Sequence, residues 1–525
     1  MHISLSLSGG GYRASAYHLG VLSYLNRLDL GNNVKLLDNV DTITGVSGGA
    51  ITAMWYVCHE VDKKSRVLVF RQLYHLLDNT HIANEVLKTA FDQSMPEPKL
   101  IKALSAVYDK AFFDGKTFSF LLEGIENSHI KNFAVDATDF NSSLPFRFQA
   151  THKYNGGYPY GYIGNKNYCM PRDIAGTIKL SDIVAASSCF PVAFEPLVID
   201  ETYNEAFSTS SFIQSNGNMV LMDGGIIDNM AVDPALKARD REQAQNKDID
   251  LFIFSDVSNE DFEKYKELKI SKWDSTIMDY VVKYKRIKRC FLWGLFVLLA
   301  LVITAIYFKF FICASFMSGI AVCIGLALYA DKKYLKIPKP SPKISIRGID
   351  LPLSELLNTK FSILAEAILN RLKGTILMSN DIVMMHIRRK YKDYIFNDST
   401  LKDKVMLNMQ STLLDNGNWK NRMIRYSFLP QIMRPSQPVH NITDEACSFP
   451  TTLWFTEKDK KDLKLDKLIA CGQYTTCWNL LLLIHKVENN KPSQNLKPLL
   501  SLKNQLINDW KKFCNDPLYM VSLIK

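Results

Sequence analysis

Residues 41–59 constrain this chain more than any other stretch. Asp41-Thr42-Ile43-Thr44 is short and β-branched and reads as a buried strand. Ala50 to His59, with Ala50, Ile51, Ala53, Met54, Trp55 and Val57, reads as an apolar helix. Between them lies Gly45-Val46-Ser47-Gly48-Gly49, a G-x-S-x-G sequence. A strand that turns so sharply into a helix needs small neighbours, and Gly45, Gly48 and Gly49 supply them. Ser47 is then exposed at the end of a buried strand, with a helix N-terminus behind it that favours negative charge. The same five residues in an ordinary glycine turn carry no such meaning; the strand–turn–helix setting singles them out. Units of this kind belong to α/β folds with a mainly parallel sheet.

The N-terminus repeats the pattern. His2-Ile3-Ser4-Leu5-Ser6-Leu7 alternates as a first strand. Gly9, Gly10 and Gly11 follow, then a helix from about Tyr12 to Leu28 with Ala16, Leu19, Val21, Leu22 and Leu25 on its apolar side. Successive glycines let backbone N–H groups converge on an anion, and the helix dipole adds to them. Arg13 can brace the loop or contact phosphate. Gly9-x-Gly11-x-x-Ala14 also fits a dinucleotide fingerprint, which expects an acidic residue at the end of the second strand. Here that strand runs into Ser47, and Asp38 and Asp41 precede or begin it, so the nucleotide reading is disfavoured.

A third glycine turn follows the apolar strand Asn218–Met222: Asp223-Gly224-Gly225. An aspartate there either bonds its own backbone or points into a site. The serine turn and the glycine nest upstream favour the second. The ten histidines include none in a glycine turn, and His18 sits on the first helix as a packed or solvated residue. The economical reading is a Ser47–Asp223 dyad, in which the aspartate takes the serine proton and later activates water. Nest, serine and aspartate are the three parts that acyl transfer requires.

This ordered set, Gly9-Gly10-Gly11-Tyr12-Arg13, Gly45-Val46-Ser47-Gly48-Gly49 and Asp223-Gly224-Gly225, resembles the patatin-like phospholipases, a family of serine acyl hydrolases. The resemblance extends to Val135–Asn141 and to the small-residue helix Leu180–Pro191. Tyr108-Asp109-Lys110 with Phe113-Asp114-Gly115-Lys116, and Ser448–Leu453 with the helix around Leu465, Leu468 and Ile469, are similar to bacterial members. It implies Ser47 as nucleophile, Asp223 as its partner and Gly9, Gly10 and Gly11 as the oxyanion hole. Arg13 matches the family's basic residue, and Gly45, Gly48, Gly49, Gly224 and Gly225 support the turns. The family usually has aspartate before the glycine run and glycine after the basic residue; this chain has Ser8 and Ala14. The implied fold is a three-layer α/β sandwich, discontinuous in sequence and closed by the C-terminal part. The implied activity is hydrolysis of fatty-acyl esters of membrane lipids, of the phospholipase A or lysophospholipase type. Acyl transfer by the same dyad, or a membrane scaffold without catalysis, are the alternatives.

One segment does not fit a soluble α/β domain. Phe291 to Phe308 carries no charge, Lys309 interrupts, and Phe310 to Ala330 is again uncharged. As one straight helix this would be ~60 Å, about twice a bilayer core, so it must bend or fold back. Lys283, Lys285, Arg286, Lys288 and Arg289 precede it, and Lys332, Lys333, Lys336 and Lys339 follow. Basic residues at both ends put both on the cytoplasmic side, as a two-helix hairpin or a shallower re-entrant loop would. A buried pair of soluble helices is the weaker reading, since no amphipathic period is present.

The expected organisation is a catalytic first part over 1–280 with a helical segment at 61–130, a transmembrane or re-entrant hairpin over 290–331, and a helical C-terminal part over 340–525. Segment 61–130 is either a lid or a plain helical layer. Segments 201–218 and 257–280 read as polar loops, and 353–390 as an apolar–basic stretch that is solvated or lies on lipid. The net charge of +10 suits a membrane surface; no nucleic-acid motif is present. Scattered cysteines without C-x-x-C read as reduced thiols, with no metal and no cofactor expected. No signal peptide is expected, because His2 already begins a strand. The partners expected are phospholipid substrate and bilayer; the oligomeric state is not legible.

Overall fold

The structure, a computed structural model, describes residues 1–91, 99–153, 161–191, 193–258, 266–269, 276–307, 343–346, 349–352, 359–417, 419–421, 431–489 and 494–525. Its strands are β1 (Ile3–Leu7), β2 (Val40–Gly45), β3 (Asn132–Asp139), β4 (Leu144–Thr151), β5 (Gly161–Gly164), β6 (Leu197–Ile199), β7 (Met219–Asp223), β8 (Leu251–Asp256), β9 (Lys343–Ile346), β10 (Ile349–Pro352) and β11 (Val405–Met409). Among the described residues, a nine-stranded sheet runs β11-β8-β1-β2-β3-β4-β5, with β7 on β3 and β6 on β7. From β11 to β3 all pairs are parallel, and β4, β5, β6 and β7 add antiparallel pairs. The sheet is therefore mixed and mostly parallel, in keeping with the α/β expectation.

β1, β2 and β8 are buried along their whole length, as parallel strands covered on both faces must be. Among the helices are α1 (Gly11–Arg27), α2 (Gly48–Val61), α3 (Leu180–Ser187), α4 (Val232–Gln243), α5 (Ile277–Tyr307), α6 (Phe361–Leu377), α7 (Met384–Asn397) and α8 (Lys464–Asn489). α1 and α2 start directly beyond the carboxyl ends of the neighbouring strands β1 and β2, so their first turns lie side by side. In open α/β sheets that edge is where ligands bind.

The chain divides into two units, 1–262 with 379–525, and 263–378. Residues 343–378 fall in the second unit with the apolar segment, and 379–525 falls in the first. That return is not purely helical: β11 extends the sheet beside β8. α8 crosses α1 at glycines. A Cβ on Gly20 would strike the Ile469 carbonyl, and a Cβ on Gly472 would strike that of Tyr17. Gln473 Nε2 donates to Ser23 Oγ at 3.2 Å across this crossing.

The described residues of 61–130 are mostly helical, and the helix Arg66–Asn79 buries Val69, Phe70, Leu73 and Leu77 while Val67 and Leu68 remain exposed. Segment 201–218, expected as loop, contains two short helices, Glu205–Thr209 and Phe212–Asn216. Asn204 caps the first, and burial of Phe207, Phe212 and Ile213 holds both against the domain.

In the second unit, α5 begins at Ile277, earlier than the apolar run suggests, and takes the basic residues 283–289 into the same helix. Within it Val282–Thr304 is long and apolar enough to cross a membrane by length and composition, with mean hydropathy 2.0. This is the single such helix among the described residues. The rest of the expected hairpin, 308–342, lies outside the described residues, so a two-helix hairpin is not established. α6 is tied to residue 268 by the Asn370 amide, which receives from and donates to the Leu268 backbone at 2.8 and 3.2 Å.

Candidate active site

The loop after β1 is held on both sides by backbone. Ser8 N–H donates to Ser255 O at 3.0 Å, and Ser8 Oγ accepts from Val257 N–H at 3.1 Å. The serine standing where aspartate is usual therefore ties the nest to the end of β8. Gly10 and Gly11 have φ of +144° and +58°, values that favour glycine. Gly9 N–H donates to Asn229 O at 3.0 Å, whereas the N–H groups of Gly10 and Gly11 have no acceptor among the described residues. The segment expected to pack late in the chain arrives at this loop. Tyr12 N–H donates to Thr452 O at 2.7 Å, and Arg13 Nη1 donates to Phe449 O at 3.0 Å. Arg13 thus braces the loop from a half-buried position, and desolvation lowers its pKa.

Ser47 follows β2 with φ +52° and ψ −121°, a conformation a non-glycine residue holds only when its surroundings enforce it. Two features enforce it. Ser47 N–H donates to Ser187 Oγ at 2.9 Å, and Ser187 Oγ donates in turn to Asp136 O at 2.7 Å. The first turn of α2 also presses on the nest: a Cβ on Gly48 would strike the Gly11 carbonyl, and one on Gly49 that of Leu7. Gly45 packs equally closely on Gly49 and Ala50. A Cβ on Gly9 would stand 3.1 Å from Ser47 Cβ, so the nest and the serine share one small space.

Asp223 ends β7, and its Oδ1 accepts from Gly225 N–H at 2.7 Å. The Ser47 side chain acts on this carboxyl and favours its ionised form. Burial raises its pKa to about 7, against the lowering by Gly225, Ser47 and the charge of Arg388. Gly224 lies against the Asp136 carbonyl, where no side chain would fit. Ser47, Asp223 and all five supporting glycines of the turns therefore converge, together with Gly9, Gly10 and Gly11.

None of the ten histidines is a hydrogen-bond partner of Ser47 or Asp223 among the described residues. His18 is buried between Ser8 O at 3.0 Å and Ser255 Oγ at 3.1 Å. Burial lowers its pKa to about 4, so it is a neutral, packed residue at physiological pH. Among the described residues, no group of three or more His, Cys, Asp or Glu side chains is placed to hold a metal.

Three residues of the site carried no assigned role in the sequence. Ser187 lies in the small-residue helix, where nothing marks it as the acceptor for Ser47. Asn229 lies in the turn after Asp223. Arg388 belongs to the basic run 386–390, which reads as a solvated face. Its only sequence signal is the cluster of charge. With the Asn229 amide assigned from its hydrogen bonds, its oxygen accepts from Arg388 Nε at 3.2 Å and from Nη2, and its NH2 faces acceptors. Burial would raise the pKa of nearby Asp256; Lys392, Arg388 and Ser258 hold it down to about 2.

Comparison with known proteins gives the geometry its context. Residues 5–236 match the family model of the patatin-like phospholipases. The match includes the nest, Ser47 and Asp223 and stops within α4, so β8, β11 and α7 lie beyond the patatin-like region. Among solved structures, the chain is similar to human GIVD cytosolic phospholipase A2 in complex with methyl gamma-linolenyl fluorophosphonate inhibitor and terbium chloride. The identity is 16%, over 49% of this chain and 40% of that one, at TM-score 0.31. The structure of human GIVD cytosolic phospholipase A2 alone gives 13% identity over 49% and 42%, at TM-score 0.33. VipD from Legionella pneumophila gives 12% identity over 99% of this chain and 84% of that one, at TM-score 0.27. The chain thus spans about two-fifths of the length of the phospholipase structures it matches. At TM-scores this low none of the three fixes a role for any residue here. No curated protein matches.

Proposed function

We propose that this protein hydrolyses fatty-acyl esters of membrane phospholipids through Ser47 and Asp223. The observation that carries the reading is the convergence itself. A serine held at positive φ and a buried aspartate whose ionised form it favours lie beside two backbone N–H groups without an acceptor among the described residues. The match of residues 5–236 to a phospholipase family supports lipid hydrolysis as the reaction class.

In this reading Asp223 accepts the Ser47 proton as Ser47 Oγ attacks the ester carbonyl. Gly10 and Gly11 N–H groups hold the resulting oxyanion. Gly9, whose N–H is engaged by Asn229, contributes clearance beside the nucleophile. Collapse expels the lysolipid, which takes the proton from Asp223. Water, deprotonated by Asp223, then attacks the acyl-serine; the acyl–Oγ bond breaks, Ser47 Oγ takes the proton back from Asp223, and the fatty acid is released. A base with pKa about 7 suits this work, being largely ionised just above neutrality yet basic enough to accept a proton.

The apolar helix α5 and its basic N-terminal half place the enzyme at its substrate, inserted in the bilayer with cations near anionic headgroups. β8 and β11 pair across the insert, so a segment that enters the membrane between them must return to the side it left. That supports a re-entrant or two-pass insert with the catalytic unit on one side, the cytoplasmic side by the charge of its flanks.

The test is fatty-acid release from mixed-phospholipid vesicles by wild type, Ser47→Ala and Asp223→Asn. Release by wild type and loss in both variants is expected. Consumption of phospholipid without free fatty acid would redirect the reading to acyl transfer. An inert wild type that fails to react with a fluorophosphonate would leave a non-catalytic membrane protein.

A further inference from the structure

Arg388 reaches the active site from outside the patatin-like region. It lies on α7, which begins after the apolar second unit and packs on the short helix Gly225–Asp228. We propose that Arg388 is a positioning residue of the active site, orienting the Asn229 amide so that its NH2 is aimed between the glycine nest and Asp223. The inference rests on the hydrolase reading above and adds to it the contribution of the C-terminal segment.

Asn229 is placed for this. Its backbone carbonyl holds Gly9 N–H at 3.0 Å, and its side-chain amide occupies the space that a Cβ on Gly9 or on Gly225 would fill. That same Cβ on Gly225 would stand 2.9 Å from Asp223 Oδ1. The amide therefore sits where nest and aspartate adjoin. An amide can turn end for end at little cost, and then it would present its oxygen to the site and repel a developing oxyanion. The Arg388 fork prevents that turn, because Nε and Nη2 both donate to the amide oxygen and a cation cannot donate to an NH2 group. The NH2 is left facing acceptors on the catalytic side.

Attachment of α7 does not require this residue. Met384, Met385 and Ile395 bury the helix, and Lys392 Nζ pairs with Asp256 at 3.6 Å one turn further on. The guanidinium also acts at longer range, because its charge stabilises ionised Asp223. Among the described residues, the other groups that bear on Asp223 are Ser47, Tyr108 and Cys189, and burial holds the last two protonated. Among the described residues, Arg388 is thus the cation that bears on the aspartate.

The experiment uses the full chain in detergent micelles. It measures hydrolysis of a p-nitrophenyl acyl ester from pH 5 to 9, fluorophosphonate labelling of Ser47, and melting temperature. Arg388→Ala is expected to lower kcat by roughly 10- to 100-fold with KM within about threefold, and to move the acid limb of the rate profile to higher pH. Arg388→Lys keeps the charge without the fork, so its acid limb stays near wild type while kcat remains reduced. It also keeps a folded variant in hand should the alanine be unstable. Arg389→Ala, the exposed neighbour, leaves both unchanged. The inference is overturned by an Arg388→Ala enzyme with wild-type kcat, or by one whose kcat and melting temperature fall together with an unmoved acid limb. A wild type that neither labels at Ser47 nor cleaves the ester overturns the hydrolase reading, and this inference with it.

Discussion

Asp223 is a carboxyl that folding makes less acidic. Its pKa rises from near 4 to about 7 on burial, and that of Asp228 does the same. For the proposed hydrolysis the sign follows: Asp223 is ionised as pH rises through about 7, so turnover is expected to climb across that range and fade below pH 6. The sign for stability is opposite. An unfolded aspartate gives up its proton near pH 4, while these two keep theirs to about 7. Stability is therefore fully present below pH 4 and declines as pH rises to 7. Asp223→Asn should abolish fatty-acid release and raise the melting temperature at pH 8, the gain being on the order of a few kcal/mol at most. Melting curves of both proteins at pH 5 and pH 8 check this; a variant less stable than wild type at pH 8 would contradict it. Ser47→Ala should lower release by about 10³-fold or more without changing the melting temperature beyond a degree or two. Ser47 and Asp223 were legible because each lies in a glycine turn after an apolar strand. Ser187 and Asn229 were not, because their roles are hydrogen bonds made across the sheet, with no local pattern to announce them.

The elements divide in the same way. β1, α1, β2, α2 and β7 follow from alternation, apolar faces and glycine turns, since each is decided by neighbours close in sequence. The two short helices within 201–218 could not be read, because only burial of Phe207, Phe212 and Ile213 stabilises them. The crossing of α1 and α8 is likewise tertiary. Gly20 and Gly472 sit backbone against backbone there, and neither has a positive φ that would explain a glycine. Gly472→Ala should therefore cost more than helix propensity, which by itself favours alanine by about 1 kcal/mol. A loss of about 2 kcal/mol or more is expected from forcing the helices apart. Urea unfolding measures it, and a neutral or stabilised variant would show that the crossing yields freely. Ser187→Ala removes the acceptor for Ser47 N–H and should slow turnover about tenfold or more while Ser47 still labels, a result read from labelling rate against ester hydrolysis.

At the scale of the molecule, the insert between β8 and β11 separates what the sheet then rejoins. If α5 anchors the enzyme, the full chain should float with vesicles containing phosphatidylglycerol and resist extraction by carbonate. Replacing Lys283, Lys285, Arg286, Lys288 and Arg289 by glutamine should weaken capture by anionic vesicles, most strongly at low salt, while leaving fluorophosphonate labelling in detergent intact. Release of the wild type by carbonate would place it on the membrane surface instead.

By itself the sequence determined the parts of the candidate site: a serine turn, a glycine nest and a turn aspartate, each encoded within a few residues by backbone geometry that only small side chains permit. It also determined that residues 291–330 are too apolar for an ordinary soluble surface. Tertiary structure alone decided that the chain returns after the insert to add β11 beside β8. It likewise decided that Phe449 and Thr452 brace the nest and that Arg388 arrives at Asn229. Those contacts join residues more than 150 positions apart, and such pairings depend on long-range packing that no local pattern records.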